Sequence, residues 1–241
     1  MNPLPENLAS LHSQEELLRE KGLELVTRDK RLSLHIAVVE HAMDLADLLR
    51  QYPTEDEDFK VIKMLGMRMF NAFGAALKLA LSGYSQNSAL VMRDVLETVF
   101  LIDLFRGDRA AITRWRLADK KAHRKEFLPV RVREALDSRD GFSGKRRAEI
   151  YELFSELAGH PTMKSVWMMR PEKNCDAVIG PFIEKTSLAA VISEMGRLAI
   201  QVGEHLAEFI PADWDKATTA RFVFAQAKTD WIATFYASGT K

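Results

Sequence analysis

The chain has 241 residues, 47% apolar and 28% charged, with a formal net charge of zero and a single cysteine, Cys175. A chain of this length buries enough surface to need neither disulfides nor a structural metal, and one cysteine excludes both an internal disulfide and a thiolate zinc cluster. No stretch approaches 18 consecutive apolar residues, and the first ten, with Pro3, Pro5 and Glu6, lack the basic and apolar regions of a secretory signal, so no membrane association and a reducing, cytoplasmic setting are expected.

Helical periodicity dominates from the start. Ser13 to Leu25 reads as an amphipathic helix capped by Ser13, with Glu15 and Glu16 in its first turn. Asp29 to Tyr52 follows, with Ile36, Val39, Met43, Ala46 and Leu49 at helical spacing, and Pro53 ends it. The acidic run Glu55 to Asp58 opens a third helix to about Leu81, and Ser82, Gly83 and Tyr84 form a turn. A fourth helix, about Ser85 to Phe105, is apolar on nearly every side and belongs at the centre of a bundle.

Asp108 to Phe127 reads as one helix, straight or kinked. Pro129 starts another, to about Ser138. Ser143 caps a helix to about Ala158 that Gly159 and Pro161 stop. Residues 162–182, with Trp167, Pro171 and Pro181 among large apolar side chains, form either an ordered irregular loop or a β-hairpin. Two long helices close the chain, about Glu184 to Ile210 and Asp213 to Tyr236. The expected fold is therefore an all-α multi-helix bundle of eight or nine helices, a single domain over residues 1–241, with a short insertion near 162–182.

Charge is unevenly distributed. Residues 6–58 hold 13 acidic and 6 basic side chains, a balance of −7, and residues 106–147 hold 14 basic and 6 acidic, a balance of +8. This points to a face that binds a polyanion, RNA or an acidic protein, or to oppositely charged faces that meet within or between chains. Arg114, Arg116, Lys120, Lys121, His123 and Arg124 surround Trp115 and are the candidates for nucleic-acid or anion contact, against the alternative of a solvated helix face. An apolar stripe on the last helix (Phe222, Phe224, Trp231, Phe235), if exposed, would mark a homo-oligomer.

Neither a metal nor a cofactor is signalled. There is no phosphate-binding glycine loop, no nucleophile elbow, no CxxC and no HExxH, and neither Glu156/His160 nor His205/Glu208 has the order and spacing of a di-iron ligand pair. Arg93 and Glu97, four apart on the apolar fourth helix, share the face of Leu90, Phe100 and Leu104. They form either an internal ion pair that fixes helix packing or a polar site in which Arg93 holds an anion and Glu97 acts as acid or base. His160 is either a helix-terminal cap or a general base. His35 and His205 share faces with apolar residues and read as core-edge side chains.

The segments Gly83–Glu97, with Arg93 and Glu97 as R-x-x-x-E, and Tyr151–Pro161, with Tyr151, Ser155 and His160 as Y-x-x-x-S-x-x-x-x-H, resemble a bacterial all-helical family of unknown function that is distantly similar to HEPN proteins. The resemblance covers roughly residues 60–165 and implies that Arg93, Glu97 and His160 face one another. It carries no activity with it. HEPN ribonucleases use an Arg-x4–6-His motif, which Arg28/His35 and Arg116/His123 match in spacing, without the polar residue that often follows the Arg, Asp29 excepted. Three readings follow: a helical interaction module of a defence or toxin–antitoxin kind that binds RNA or an acidic partner; a metal-independent ribonuclease using Arg93, Glu97 and His160 or the Arg116/His123 pair; and a small-molecule sensor with a polar pocket at Arg93 and Glu97.

Overall fold

The computed structural model describes residues 5–171 and 175–236. Eleven α-helices and no strand occur among them: α1 (Glu6–Arg28), α2 (Lys30–Gln51), α3 (Glu57–Leu81), α4 (Ser85–Gly107), α5 (Ala110–Leu117), α6 (Lys120–Glu126), α7 (Pro129–Arg139), α8 (Arg146–Phe154), α9 (Met163–Trp167), α10 (Lys185–Ala207) and α11 (Thr218–Phe235). The count exceeds the expected eight or nine by two or three, and two of the extra helices have identifiable local causes. The segment 108–127 divides because Asp119 accepts a hydrogen bond from the Ala122 amide and starts α6 afresh. The 162–182 segment is no hairpin. Thr162 and Ser165 form a reciprocal cap that nucleates α9, and the described residues beyond it are irregular.

Several expected boundaries also move, the last helix for example beginning at Thr218 rather than Asp213. α1 begins at Glu6, and Ser13 does not cap it: the Ser13 hydroxyl lies within the helix and donates to the Ala9 carbonyl at 2.9 Å. α8 begins at Arg146 rather than after Ser143, and its last turn widens into a π-turn over Ser155–Gly159.

Four long helices close a ring: α2 packs on α3, α3 on α4, α4 on α10, and α10 back on α2. Their inner faces supply side chains that are wholly buried, including Leu45, Leu49, Ile62, Met69, Phe73, Met92, Leu96, Ile102 and Ile192. α10 carries glycine where its neighbours press in: a Cβ at Gly196 would lie 2.6 Å from His35 Nδ1 of α2, and one at Gly203 2.1 Å from the Phe224 ring of α11. α11 lies along α2, burying Phe224 and Trp231, so most of the apolar stripe considered as an oligomer contact is covered within the chain and only Phe222 is strongly exposed. Among the described residues no helix is long and apolar enough to cross a membrane.

α4 is the hub. It touches α3, α5, α7, α8, the π-turn and α10. Any polar side chain on it is therefore surrounded by several elements, which is what makes its charged residues informative.

Candidate functional site

The α4 face that carries Arg93 and Glu97 is not sealed. Leu90 on it is exposed, and Arg93 and Glu97 retain 22% and 30% of their side-chain exposure. Their ion pair is loose, at 3.4 Å. Arg93 instead makes its close contacts with α8. Its Nη2 donates to the Tyr151 hydroxyl, and its guanidinium carbon lies 4.7 Å from the centre of the Tyr151 ring.

A second guanidinium reaches the same ring. Arg133 of α7 places its guanidinium carbon 4.0 Å from the Tyr151 ring centre. Arg133 is only 9% exposed, makes no ion pair among the described residues, and its Nε and Nη1 have no hydrogen-bond partner. The Nε of Arg93 is buried and unpartnered as well. Two cations and one carboxylate thus meet around one tyrosine where α4, α7 and α8 converge.

The π-turn completes this cluster. Its extra residue widens the helix end and brings the Gly159 backbone against Arg93. A Cβ at Gly159 would stand 2.8 Å from Arg93 Nη1, so a larger residue there would push the guanidinium aside. Beyond Gly159 opens a cavity of about 570 Å³, lined by Gln86, His160, Met163, Val166 and Met169 among others. His160 is exposed, its backbone amide ends the π-turn on the Ser155 carbonyl, and its ring makes no hydrogen bond. Arg93 and Glu97 are therefore together, while His160 lies across Gly159 in the adjoining cavity rather than in their hydrogen-bonded cluster.

Glu97 also faces a cleft of about 420 Å³ that it shares with Asp94, Arg68, Trp115, His123 and Phe127. His123 thus lines a cleft with Glu97, and Arg116 is not among the residues that line it. Arg116 is held by Asp58 at 2.8 Å, and Asp58 also accepts from the Thr113 hydroxyl; these two hydrogen bonds keep the Asp58 carboxyl below its ordinary range. The other matched pair does not converge either. Arg28 is a surface side chain paired with Glu24, whereas His35 is buried, stacks on Phe235 and accepts a hydrogen bond from Trp231 Nε1 at 2.8 Å. Burial pushes the His35 imidazole down to about 4, so it is neutral at physiological pH.

The basic segment is largely self-neutralised. Arg114 is paired with Glu126 and Asp108, and Arg116 with Asp58. Among the described residues Lys120, Lys121 and Arg124 make no ion pair and stand exposed on α6 with Lys125. What the sequence did not reveal is the network around Asp103. This buried α4 carboxylate accepts hydrogen bonds from Arg106 and Arg139, with Arg147 at 3.9 Å and His205 at 4.0 Å. Burial alone would raise the Asp103 carboxyl, but the hydrogen bonds from Arg139 and Arg106 and the neighbouring charges hold it below its ordinary value. The one available signal was an acid within the apolar run Val99–Phe105 near the end of α4. Its cavity, about 610 Å³, has its arginines paired with acids, Arg146 excepted, so the network reads as a structural clasp between α4, α7 and α10.

Fold and site together define an all-helical protein with a half-open arginine–tyrosine cluster on its central helix. Comparison of the chain with protein-family models, with curated proteins and with solved structures finds no match, so the functional reading rests on this geometry.

Proposed function

We propose that the chain is a small-molecule sensor module whose ligand docks at the Arg93/Glu97 face of α4. The observation that carries this reading is Arg133: a buried guanidinium whose Nε and Nη1 have no partner. Taking a charge out of water costs several kcal/mol unless a partner compensates it, and the Tyr151 face returns only about 1–2 kcal/mol of that. A ligand that supplies the missing partner gains what the free protein lacks. The test is a thermal-shift screen of neutral, cationic and anionic metabolites with the purified chain. A ligand that raises Tm in the wild type and not in Arg93→Met supports the reading. No ligand of any charge raising Tm refutes it.

A second reading, contact with RNA or an acidic protein, is favoured by the four exposed cations of α6. Electrophoretic mobility shift with RNA at two salt concentrations, beside a variant with Lys120, Lys121, Arg124 and Lys125 changed to Ser, tests it. Salt-sensitive binding that the variant loses supports α6 as the contact. The ribonuclease reading draws less support. It requires a histidine and an arginine to converge on one scissile phosphate, whereas Arg116 is tied to Asp58 and His160 stands outside the Arg93 cluster.

A further inference from the structure

We infer that the ligand recognised at this site bears a small oxyanion, a carboxylate or phosphate group, which Arg133 and Arg93 hold beside Tyr151. This inference rests on the sensor reading above and names the chemistry of its ligand.

The charge balance points to it. Arg93 and Arg133 bring two positive charges to the Tyr151 ring, and Glu97 answers one of them at 3.4 Å. One positive charge is left over, and it belongs to the more deeply buried partner. Arg133 is 91% buried, the complement of its 9% exposure, and no carboxylate among the described residues lies within ion-pair distance of it. The acids nearest in sequence are otherwise engaged or turned outward. Glu134 pairs with Arg131, Asp137 with Arg147, and Glu149 and Glu152 are exposed.

Donor inventory points the same way. A guanidinium is a fork of N–H donors with no acceptor, and it never gives up its charge. Arg133 Nε and Nη1 and Arg93 Nε are three buried donors awaiting acceptors. Tyr151 satisfies none of the three. Its ring offers a π face, and its hydroxyl already accepts from Arg93 Nη2. A group that accepts several N–H bonds and carries about one negative charge would answer both the unpartnered donors and the unmatched charge. Carboxylates and phosphates match guanidinium geometry and form shorter, stronger hydrogen bonds than neutral acceptors do. A neutral ligand would satisfy donors and leave the charge. A cation would add to it.

The surrounding chain is built to keep the two arginines in place. Gly159 makes room for Arg93, the π-turn exists over just these residues, and Gln86, on the same strip of α4, reaches the Leu157 carbonyl of that turn. None of these features is needed for an ion pair between Arg93 and Glu97 alone.

The experiment uses the whole chain at constant ionic strength, with sodium chloride replaced stepwise by sodium acetate or sodium phosphate. Arginine Nε–H resonances and Tm are followed. The expected result is a saturable shift of the Arg133 and Arg93 Nε–H signals with at least one of the two anions, and a rise in Tm that Arg133→Met loses. Arg133→Met is expected to be at least as stable as the wild type in chloride, because it removes an unpaired buried charge. Arg133→Lys, which keeps charge but not the fork, should weaken the response tenfold or more and serves if the methionine variant does not fold. The resonance arm needs no variant at all. If neither anion shifts either signal while the metabolite screen yields a neutral or cationic ligand, the inference is overturned and the sensor reading stands. If no compound of any charge binds, both fall. An anion response that Arg133→Met retains also overturns the assignment.

Discussion

His35 shows how a single side chain couples to solvent pH. Its imidazole accepts the Trp231 indole N–H and stacks on Phe235, and burial, reinforced by the nearby Arg197 and Arg31 charges, holds its pKa near 4 rather than the ordinary 6.5. The unfolded chain therefore binds a proton at a pH where the folded chain does not. Stability is fully present above pH 6.5 and falls as pH drops from 6.5 towards 4. His205, also lowered by burial, acts in the same direction. Urea unfolding at pH 7 and pH 5 should show a loss of about 2 kcal/mol in the wild type, and His35→Gln should recover at least half of that difference. An unchanged pH slope in the variant would contradict the burial argument. Buried Asp103 poses the opposite case. It is ionised and encircled, so Asp103→Ala removes the carboxylate that Arg106 and Arg139 share, leaving them Glu208 and Asp140, and should cost about 1.5–3 kcal/mol in urea denaturation. Arg116→Ala, which breaks a half-exposed pair with Asp58, should cost less than about 1 kcal/mol.

At the level of elements, the π-turn after α8 is the unusual feature. An alanine in a helix is ordinarily favoured over glycine by about 1 kcal/mol. At Gly159 the new methyl would meet the Arg93 guanidinium, which Tyr151 pins. Gly159→Ala is therefore expected to destabilise the wild type by about 1 kcal/mol and to stabilise an Arg93→Met background. Four Tm values in a double-mutant cycle measure this. A penalty of equal size in both backgrounds would mean that the glycine serves the turn itself and not the arginine.

At the scale of the whole molecule, the opposed charges of residues 6–58 and 106–147 meet in part within the chain, through Arg116 and Asp58. Most other arginines of the basic run find acids inside that run, on α4 or just past the end of α10, as Arg114, Arg131, Arg139, Arg147 and Arg106 do. The residual positive surface is therefore smaller than the composition suggests and concentrates on α6. The closure of the fold depends on α11, which caps α2 with Phe224 and Trp231. Trp231→Ala opens a cavity over His35 and removes its hydrogen bond, and should cost about 3–5 kcal/mol. It should also move the His35 titration, followed by NMR, upward towards its ordinary value.

The sequence by itself determined the helical class, the central place of α4 and the pairing of Arg93 with Glu97, because hydrophobic period and i,i+4 spacing are local properties that survive any packing. It also identified His35 as a side chain of the core edge. Tertiary structure alone decided the rest. That Arg133 and Tyr151 join Arg93 depends on how α7 and α8 fold back on α4, a contact across 40 and 58 residues of chain respectively, from position 93 to 133 and to 151. That His123 lines the cleft of Glu97 while Arg116 is held by Asp58 depends on where α5 and α6 are placed. Whether a charge is matched is a property of every element around it, and so the unpartnered guanidinium that carries the functional reading becomes visible only once the helices are assembled.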